Sequence, residues 1–366
     1  MKPRWVCSKC GFREYLVKYY WRCPRCGSSL DIDYPRLVWA PHGEGMARYS
    51  RMLPIEIHES LGEGGTPLVY REYCGLKIGF KLEYLNPSGS FKDRGTVLAL
   101  SLAKKLGYKR VVEDTSGNTG ISIALYSRAY GLSSTIVVPK TSHSGKLSLL
   151  EMLGANIVYT RDRGEAARLV LEIVGREEDY YYVAHTWSPL YPIAYKTIAY
   201  ELYEQGFREG VVVAPIGSGG LYLGLYRGFR DLYELGFIED IPLLVGVQGA
   251  SIQHIYRLVY GRVVEGDSSL ADGLMVENPP RLEEIVGVVR KYGDVVVVSN
   301  EEIVDALKWL LSKGFIVEPT SATALAGLWK LLEEKKDLVR GTVYIPLTGS
   351  GLKVVKENTA LMRVRH

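Results

Sequence analysis

Long apolar stretches are missing from this chain. No window of its 366 residues approaches 18 uninterrupted apolar positions, which excludes a membrane-spanning helix. An apolar leader is missing too, since Arg4, Cys7, Lys9 and Cys10 interrupt the start, so a soluble, cytoplasmic protein is expected. Neither charge dominates: 45 basic residues face 41 acidic ones for a net +4, and neither a nucleic-acid nor a membrane partner is expected. Glutamine is scarce, at Gln205, Gln248 and Gln253 only, as in heat-adapted proteins. After residue 26 cysteine nearly vanishes, with Cys74 alone remaining, which argues against a disulfide framework. Cys74 is expected to be a small buried residue without redox function. What is present, 47% apolar and 23% charged residues, is enough for sizeable cores and excludes disorder as the main state. At about 150 residues per domain, the length suggests about 2.4 units.

The other four cysteines are clustered. Cys7-Ser-Lys-Cys10 and Cys23-Pro-Arg-Cys26 form two C-x2-C knuckles, and Gly11 and Gly27 each follow a second cysteine. Glycine there suits a turn with positive φ. Two knuckles supply the four soft ligands of tetrahedral zinc, so a structural Zn2+ ribbon over residues 1–35 is the expectation. A ribbon without metal and a pair of disulfides are the alternatives. A catalytic zinc would need an open position, and four cysteines close the site.

Beyond a connector at 36–60, short β-branched runs alternate with helical patterns. The strand-like runs are Arg110–Glu113, Thr135–Val138, Asn156–Tyr159, Tyr181–Ala184, Val211–Ala214, Leu243–Val247, Val295–Val298 and Thr342–Ile345. Helical periodicity fills 95–106, 119–130, 145–153, 164–174, 190–205, 220–235, 301–313 and 321–335. This alternation reads as βαβ units with mostly parallel sheets, an α/β fold. Three glycine-rich turns follow strands, where parallel sheets bind ligands: Thr115-Ser-Gly-Asn-Thr-Gly120, Gly217-Ser-Gly-Gly220 and Thr348-Gly-Ser-Gly351. Tyr222 breaks the dinucleotide pattern and no Walker lysine follows Gly217-Ser-Gly-Gly, which argues against NAD and nucleotide hydrolysis.

Asn86-Pro-Ser-Gly-Ser-Phe-Lys92-Asp-Arg-Gly95 is the sharpest element of the main body. A lysine in a turn at a helix start lies near positive backbone dipoles that favour its neutral amine, which prepares it for Schiff-base chemistry. A solvated lysine salt-bridged to Asp93 is the bland reading of the same residues.

On that segment, together with Ser116-Gly-Asn-Thr-Gly, Gly217-Ser-Gly-Gly-Leu, Glu318-Pro-Thr-Ser-Ala, Thr348-Gly-Ser-Gly-Leu-Lys and the double knuckle, the chain closely resembles the fold-type II pyridoxal-phosphate enzymes, specifically their threonine-synthase-like group. The resemblance covers roughly residues 60–355. It implies a tryptophan synthase β-like fold of two three-layer αβα domains, with residues 36–96 and 206–366 as the larger and 97–205 as a smaller mobile one. It also implies pyridoxal 5'-phosphate as cofactor, an amino acid as substrate and a homodimer.

Residue by residue, the resemblance gives Lys92 as the catalytic amine that forms the Schiff base. Phe91 would pack near the cofactor ring, and Asn118 would bond its phenolic oxygen. Gly217, Ser218, Gly219 and Gly220 would cradle its phosphate, and Thr348 would face its pyridine nitrogen. Ser116 and Thr119 would receive the substrate carboxylate. Apart from the resemblance, Lys146, as a cation, and His185, at a strand end, are read as substrate-binding residues. His143 and Lys196 are weaker substrate candidates. The implied reaction converts O-phospho-L-homoserine and water to L-threonine and phosphate. Another pyridoxal-phosphate lyase or β-replacement enzyme, such as a dehydratase, is the alternative. Two positions depart from the group's usual pattern. The phosphate loop is glycine-rich rather than asparagine-rich, and Tyr191 stands where an arginine commonly grips a substrate phosphate.

Overall fold

The computed structural model describes residues 2–35, 38–115, 117–142, 144–177 and 179–363. In chain order the elements begin β1 (Arg4–Val6), β2 (Arg13–Tyr15), β3 (Asp31–Asp33), β4 (Leu68–Tyr73), β5 (Leu76–Lys81), α1 (Lys92–Lys105), β6 (Arg110–Glu113) and α2 (Asn118–Ala129). There follow β7 (Ser133–Pro139), α3 (Ser144–Met152), β8 (Asn156–Thr160), α4 (Arg163–Arg176), β9 (Tyr180–Tyr182), α5 (Leu190–Glu204), β10 (Val211–Pro215) and α6 (Gly220–Glu234). The chain continues through β11 (Leu243–Gly249), α7 (His254–Tyr260), α8 (Leu282–Tyr292), β12 (Gly293–Val298), α9 (Asn300–Ser312), α10 (Pro319–Lys335), β13 (Val343–Pro346) and α11 (Val355–Arg363). Among the described residues no helix is long and apolar enough to cross a membrane. Backbone proximity groups residues 1–65 with 86–194, and 66–85 with 195–366.

The first unit holds a parallel sheet in the order β8-β7-β6-β9. Its strands are short apolar runs flanked by helices, with α2 and α4 packed on β7, the arrangement a parallel sheet requires to bury both faces. Val112, Val137, Ala166, Val170, Tyr182 and Ala184 form one core cluster, joined at its margin by Trp21 and Trp187. Each buried valine among them contributes on the order of 1.5–3 kcal/mol.

The amino-terminal ribbon is a small antiparallel sheet, β2-β1-β3, that docks on this unit. The Tyr19 hydroxyl donates to the Tyr182 carbonyl at 2.6 Å, and its ring lies 4.0 Å from that of Tyr181. Trp21 meets Tyr182 and Trp187 edge-on at 5.4 and 5.5 Å. Since β9 is an edge strand, the Tyr19 bond occupies a backbone carbonyl on an edge that is otherwise open to pairing.

The second unit holds a six-stranded sheet in the order β12-β11-β10-β13-β5-β4. All its pairs are parallel except β4–β5. Ile78, Phe80, Val213, Val245, Val296, Leu307, Leu325 and Ile345 belong to its core, and α10 packs across β10, β11 and β12. Both sheets, mixed or parallel and flanked by helices, give an α/β architecture, as the alternation of strand and helix patterns implied. One expectation fails: Cys74 is exposed. It forms the β4–β5 turn with Gly75, at φ 49° and 76°, the paired positive φ values of a two-residue type I′ hairpin, and a hairpin tip faces solvent.

Candidate active site and metal centre

The two knuckles close as their glycines require. Gly11 and Gly27 have φ of 72° and 73°, and their amides donate to the Cys7 and Cys23 carbonyls. The turns bring the sulfurs of Cys7, Cys10, Cys23 and Cys26 within 4.8 Å of one another, with Cys7–Cys26 at 3.6 Å and Cys10–Cys23 at 3.5 Å. All four are free thiols. Four sulfurs each about 2.3 Å from one ion have nearly this spacing, so the cluster fits a closed, structural tetrahedral zinc site. Among the described residues no other group of His, Cys, Asp or Glu gathers in this way.

Lys92 opens α1. Asp93 is fully buried and accepts from the amide and hydroxyl of Ser88, while the Asn86 carbonyl accepts from Gly89 N–H and its side-chain oxygen from Gly64 N–H. These bonds fix the 86–90 turn, and so the place from which Lys92 projects. Its ammonium lies 4.8 Å from the centre of the Phe91 ring. Further along α1, the Tyr191 ring rests on Gly95, where an added Cβ would stand 2.1 Å from it. The Tyr191 hydroxyl lies 3.2 Å from Thr96 Oγ1.

The turn from β6 to α2 ends at Gly117, which starts the helix without a side-chain cap. A helix start of this kind, at the carboxyl end of β6, suits an anion. Asn118 and buried Thr119 sit on this first turn. Ser116 and His143 lie outside the described residues. Lys146 is buried on α3.

At the end of the neighbouring strand, Ala184 adopts φ 49°, a strained value for a residue with a Cβ. His185 follows, with Nδ1 2.6 Å from Glu113 Oε1. Burial pushes the Glu113 carboxyl up to about 8, offset in part by the His185 and Ala184 amides and by the charge on Lys92. Burial and the same lysine charge push His185 down to about 3. Sequence reading selected His185 but passed over Glu113. The glutamate stood directly before the glycine-rich turn, and a carboxylate ending an apolar strand was the available signal.

In the second unit, β10 leads through Gly217-Ser-Gly-Gly into α6. Gly219 caps that helix at φ 85° with no side-chain bond, and no acidic residue lies in the first turn. A Cβ on Gly217 would meet the Gly273 carbonyl at 2.5 Å, and one on Gly219 would meet Ile285 at 2.1 Å. Only glycine permits this compact nest of amides, which suits a phosphate. Thr348, buried after β13, has its hydroxyl 2.9 Å from Ser321 Oγ, itself bonded to Gly349 N–H and carbonyl. Lys196 is ion-paired with Asp231, which also accepts from Tyr200 at 2.5 Å, so its charge is already engaged.

Each unit by itself carries features that suit pyridoxal phosphate: an amine at a helix start in the first, and an anion nest built on glycines and a fixed hydroxyl in the second. Residues 59–349 match the family model described as pyridoxal-phosphate dependent enzyme. The threonine synthase of Methanocaldococcus jannaschii is 29% identical, covering 95% of this chain and 92% of that protein. That of Methanosarcina acetivorans is 30% identical over 90% of this chain and 83% of the relative. Among solved structures, the cysteine synthase of Entamoeba histolytica superposes with a TM-score of 0.70 at 22% identity, covering 83% of this chain and 89% of that one. With the family model spanning well over half of its length, this chain belongs to the pyridoxal-phosphate dependent enzymes.

Proposed function

We propose that this enzyme is a threonine synthase, converting O-phospho-L-homoserine and water to L-threonine and phosphate. The likeness to curated threonine synthases carries the reading, because it runs along nearly the whole chain. When bound, the cofactor supplies an electron sink for negative charge at the substrate α-carbon. Lys92 attaches the cofactor and, once released, takes and returns a proton as an amine. Phe91 packs at the ring, Asn118 bonds its phenolic oxygen, the amides of Gly217, Ser218, Gly219 and Gly220 hold its phosphate, and Thr348 bonds its nitrogen. Ser116 and Thr119 take the substrate carboxylate. Lys146 receives the substrate phosphate, with Lys196 committed to Asp231. On this reading the protein works as a cytoplasmic homodimer.

A second reading, β-replacement or dehydration of an unphosphorylated amino acid, is favoured by Tyr191. It is buried against Gly95 and brings no cation. The test is side-by-side measurement of phosphate and threonine release from O-phosphohomoserine and of oxo-acid release from serine and threonine. Phosphate with threonine is expected; oxo acid without phosphate overturns the first reading for the second. Lys92→Ala should fold but lose the visible absorbance of the loaded protein, at about 410 nm.

A further inference from the structure

The Glu113–His185 contact has the marks of a built site. Glu113 ends β6 and His185 follows three residues after β9, both at the carboxyl edge of one parallel sheet, where ligands bind. The Glu113 side chain is 1% exposed and that of His185 17%, so the histidine alone has access to solvent or substrate. The left-handed Ala184 aims the chain here, and its carbonyl accepts from the Trp187 and Ser188 amides, which closes the turn. Glu113 Oε2 is buried without a hydrogen-bond partner.

We propose that Glu113 and His185 act as one acid–base unit that gives up and takes back one net proton, with His185 as the member that passes it and Glu113 as the residue that positions and recharges it. The proposal takes Lys92 as the cofactor lysine, as in the function above. An imidazolium–carboxylate pair would bury two charges at once, which disfavours that form. The neutral pair buries none. The Glu113 O–H donates to Nδ1, and the ring keeps its hydrogen on Nε2. When Nε2 gives up that hydrogen, the Glu113 proton crosses to Nδ1. The ring stays neutral, and one negative charge appears on Glu113.

That charge is met by the Lys92 cation and the Ala184 and His185 amides. A proton taken up by Lys92 is therefore matched by one released from the pair. Burial sets the Glu113 ionisation at about 8, near the working range of a general acid–base group. The other groups that face the pair are Asp114, Tyr181, Tyr182, Tyr191 and, from the ribbon, Tyr19. Asp114 accepts from the Tyr182 hydroxyl at 2.7 Å, and burial lifts its carboxyl to about 6. The tyrosines are all raised above their ordinary value and remain neutral alongside the pair.

The test is nitrogen NMR of the imidazoles in the cofactor-loaded protein across pH 5–10, with infrared detection of the buried carboxyl. The expected result is a neutral His185 throughout, whose hydrogen shifts from Nε2 to Nδ1 as the raised Glu113 carboxyl ionises within that range, while a protonated-carboxyl band is lost. Glu113→Gln should lock the Nε2–H tautomer, abolish that band, remove the matching ionisation from the kcat/KM profile and lower kcat by about 10²-fold or more. A His185 that charges between pH 5 and 7, or a tautomer fixed at every pH in the unaltered protein, overturns the proposal. These spectroscopic readings need no variant to fold. A Lys92→Ala protein that still holds its cofactor chromophore would instead overturn the cofactor-lysine assignment, leaving the tautomer shift to be read by itself.

Discussion

Replacing Gly95 by alanine should destabilise the protein, although alanine is the better helix former by about 1 kcal/mol. The new Cβ would lie 2.1 Å from Tyr191 Cδ1, 2.6 Å from Cε1 and 2.7 Å from Cγ, where ordinary contact begins at 3.4 Å. Tyr191 is 1% exposed, so the ring has no open space to enter and must retreat by roughly 1 Å against packed neighbours. Overpacking of this kind costs about 1–3 kcal/mol, and moving the ring also strains the contact between its hydroxyl and Thr96, worth about 0.5–1.5 kcal/mol. With the propensity gain subtracted, a net loss of about 1–3 kcal/mol remains, or several degrees in Tm. Chemical denaturation of a double-mutant cycle reads it. In a Tyr191→Ala background the obstruction is gone, and Gly95→Ala should become neutral or stabilising by up to about 1 kcal/mol. A shift of the same size and sign in both backgrounds would refute the steric account.

Removing the metal with a chelator, or any one of the four cysteines by serine, should unfold the ribbon; a red shift of tryptophan fluorescence reports it, since Trp5 is fully buried there and metal binding and folding are one event in such modules. An unchanged emission after proven metal loss would contradict this. Asp231→Ala should cost about 3–5 kcal/mol by removing the carboxylate paired with the buried Lys196 cation, whereas Lys196→Met with Asp231→Leu should recover most of the loss in urea unfolding. Stability should also trace the buried pair. Glu113, raised to about 8 from 4.5, binds more protons folded than unfolded, so its contribution is full below pH 4.5 and is lost as pH rises toward 8. His185, depressed to about 3 from 6.5, does the reverse between those values. Relative to the Glu113→Gln, His185→Asn protein, stability should rise to about pH 4.5, stay level to about 6.5 and fall by about 2 kcal/mol by pH 8; a flat difference would remove both shifts.

Parallel strands were legible in the sequence because burial on both faces demands unbroken β-branched runs. Val211–Ala214 and Val295–Val298 fall inside β10 and β12. The β4–β5 hairpin was not, since Arg71, Glu72 and Lys77 interrupt it and its turn is Cys-Gly rather than Asn-Gly. Helix α8 escaped for want of a cap: Arg281 precedes it without a capping bond. The glycine loops, Lys92 and the four cysteines were visible because each is a local motif. Glu113 was not, as its significance comes from a histidine 72 positions away and from burial, neither of which a linear pattern carries.

The bond between Tyr19 and Tyr182 spans 163 positions of sequence. During synthesis at about 5–20 residues per second, the ribbon leaves the ribosome roughly ten to thirty seconds before its docking strand exists. It must therefore capture metal and close on its own, as a finished module awaiting a partner. The edge of β9, by contrast, has its cover already made when it forms, because the ribbon precedes it in the chain.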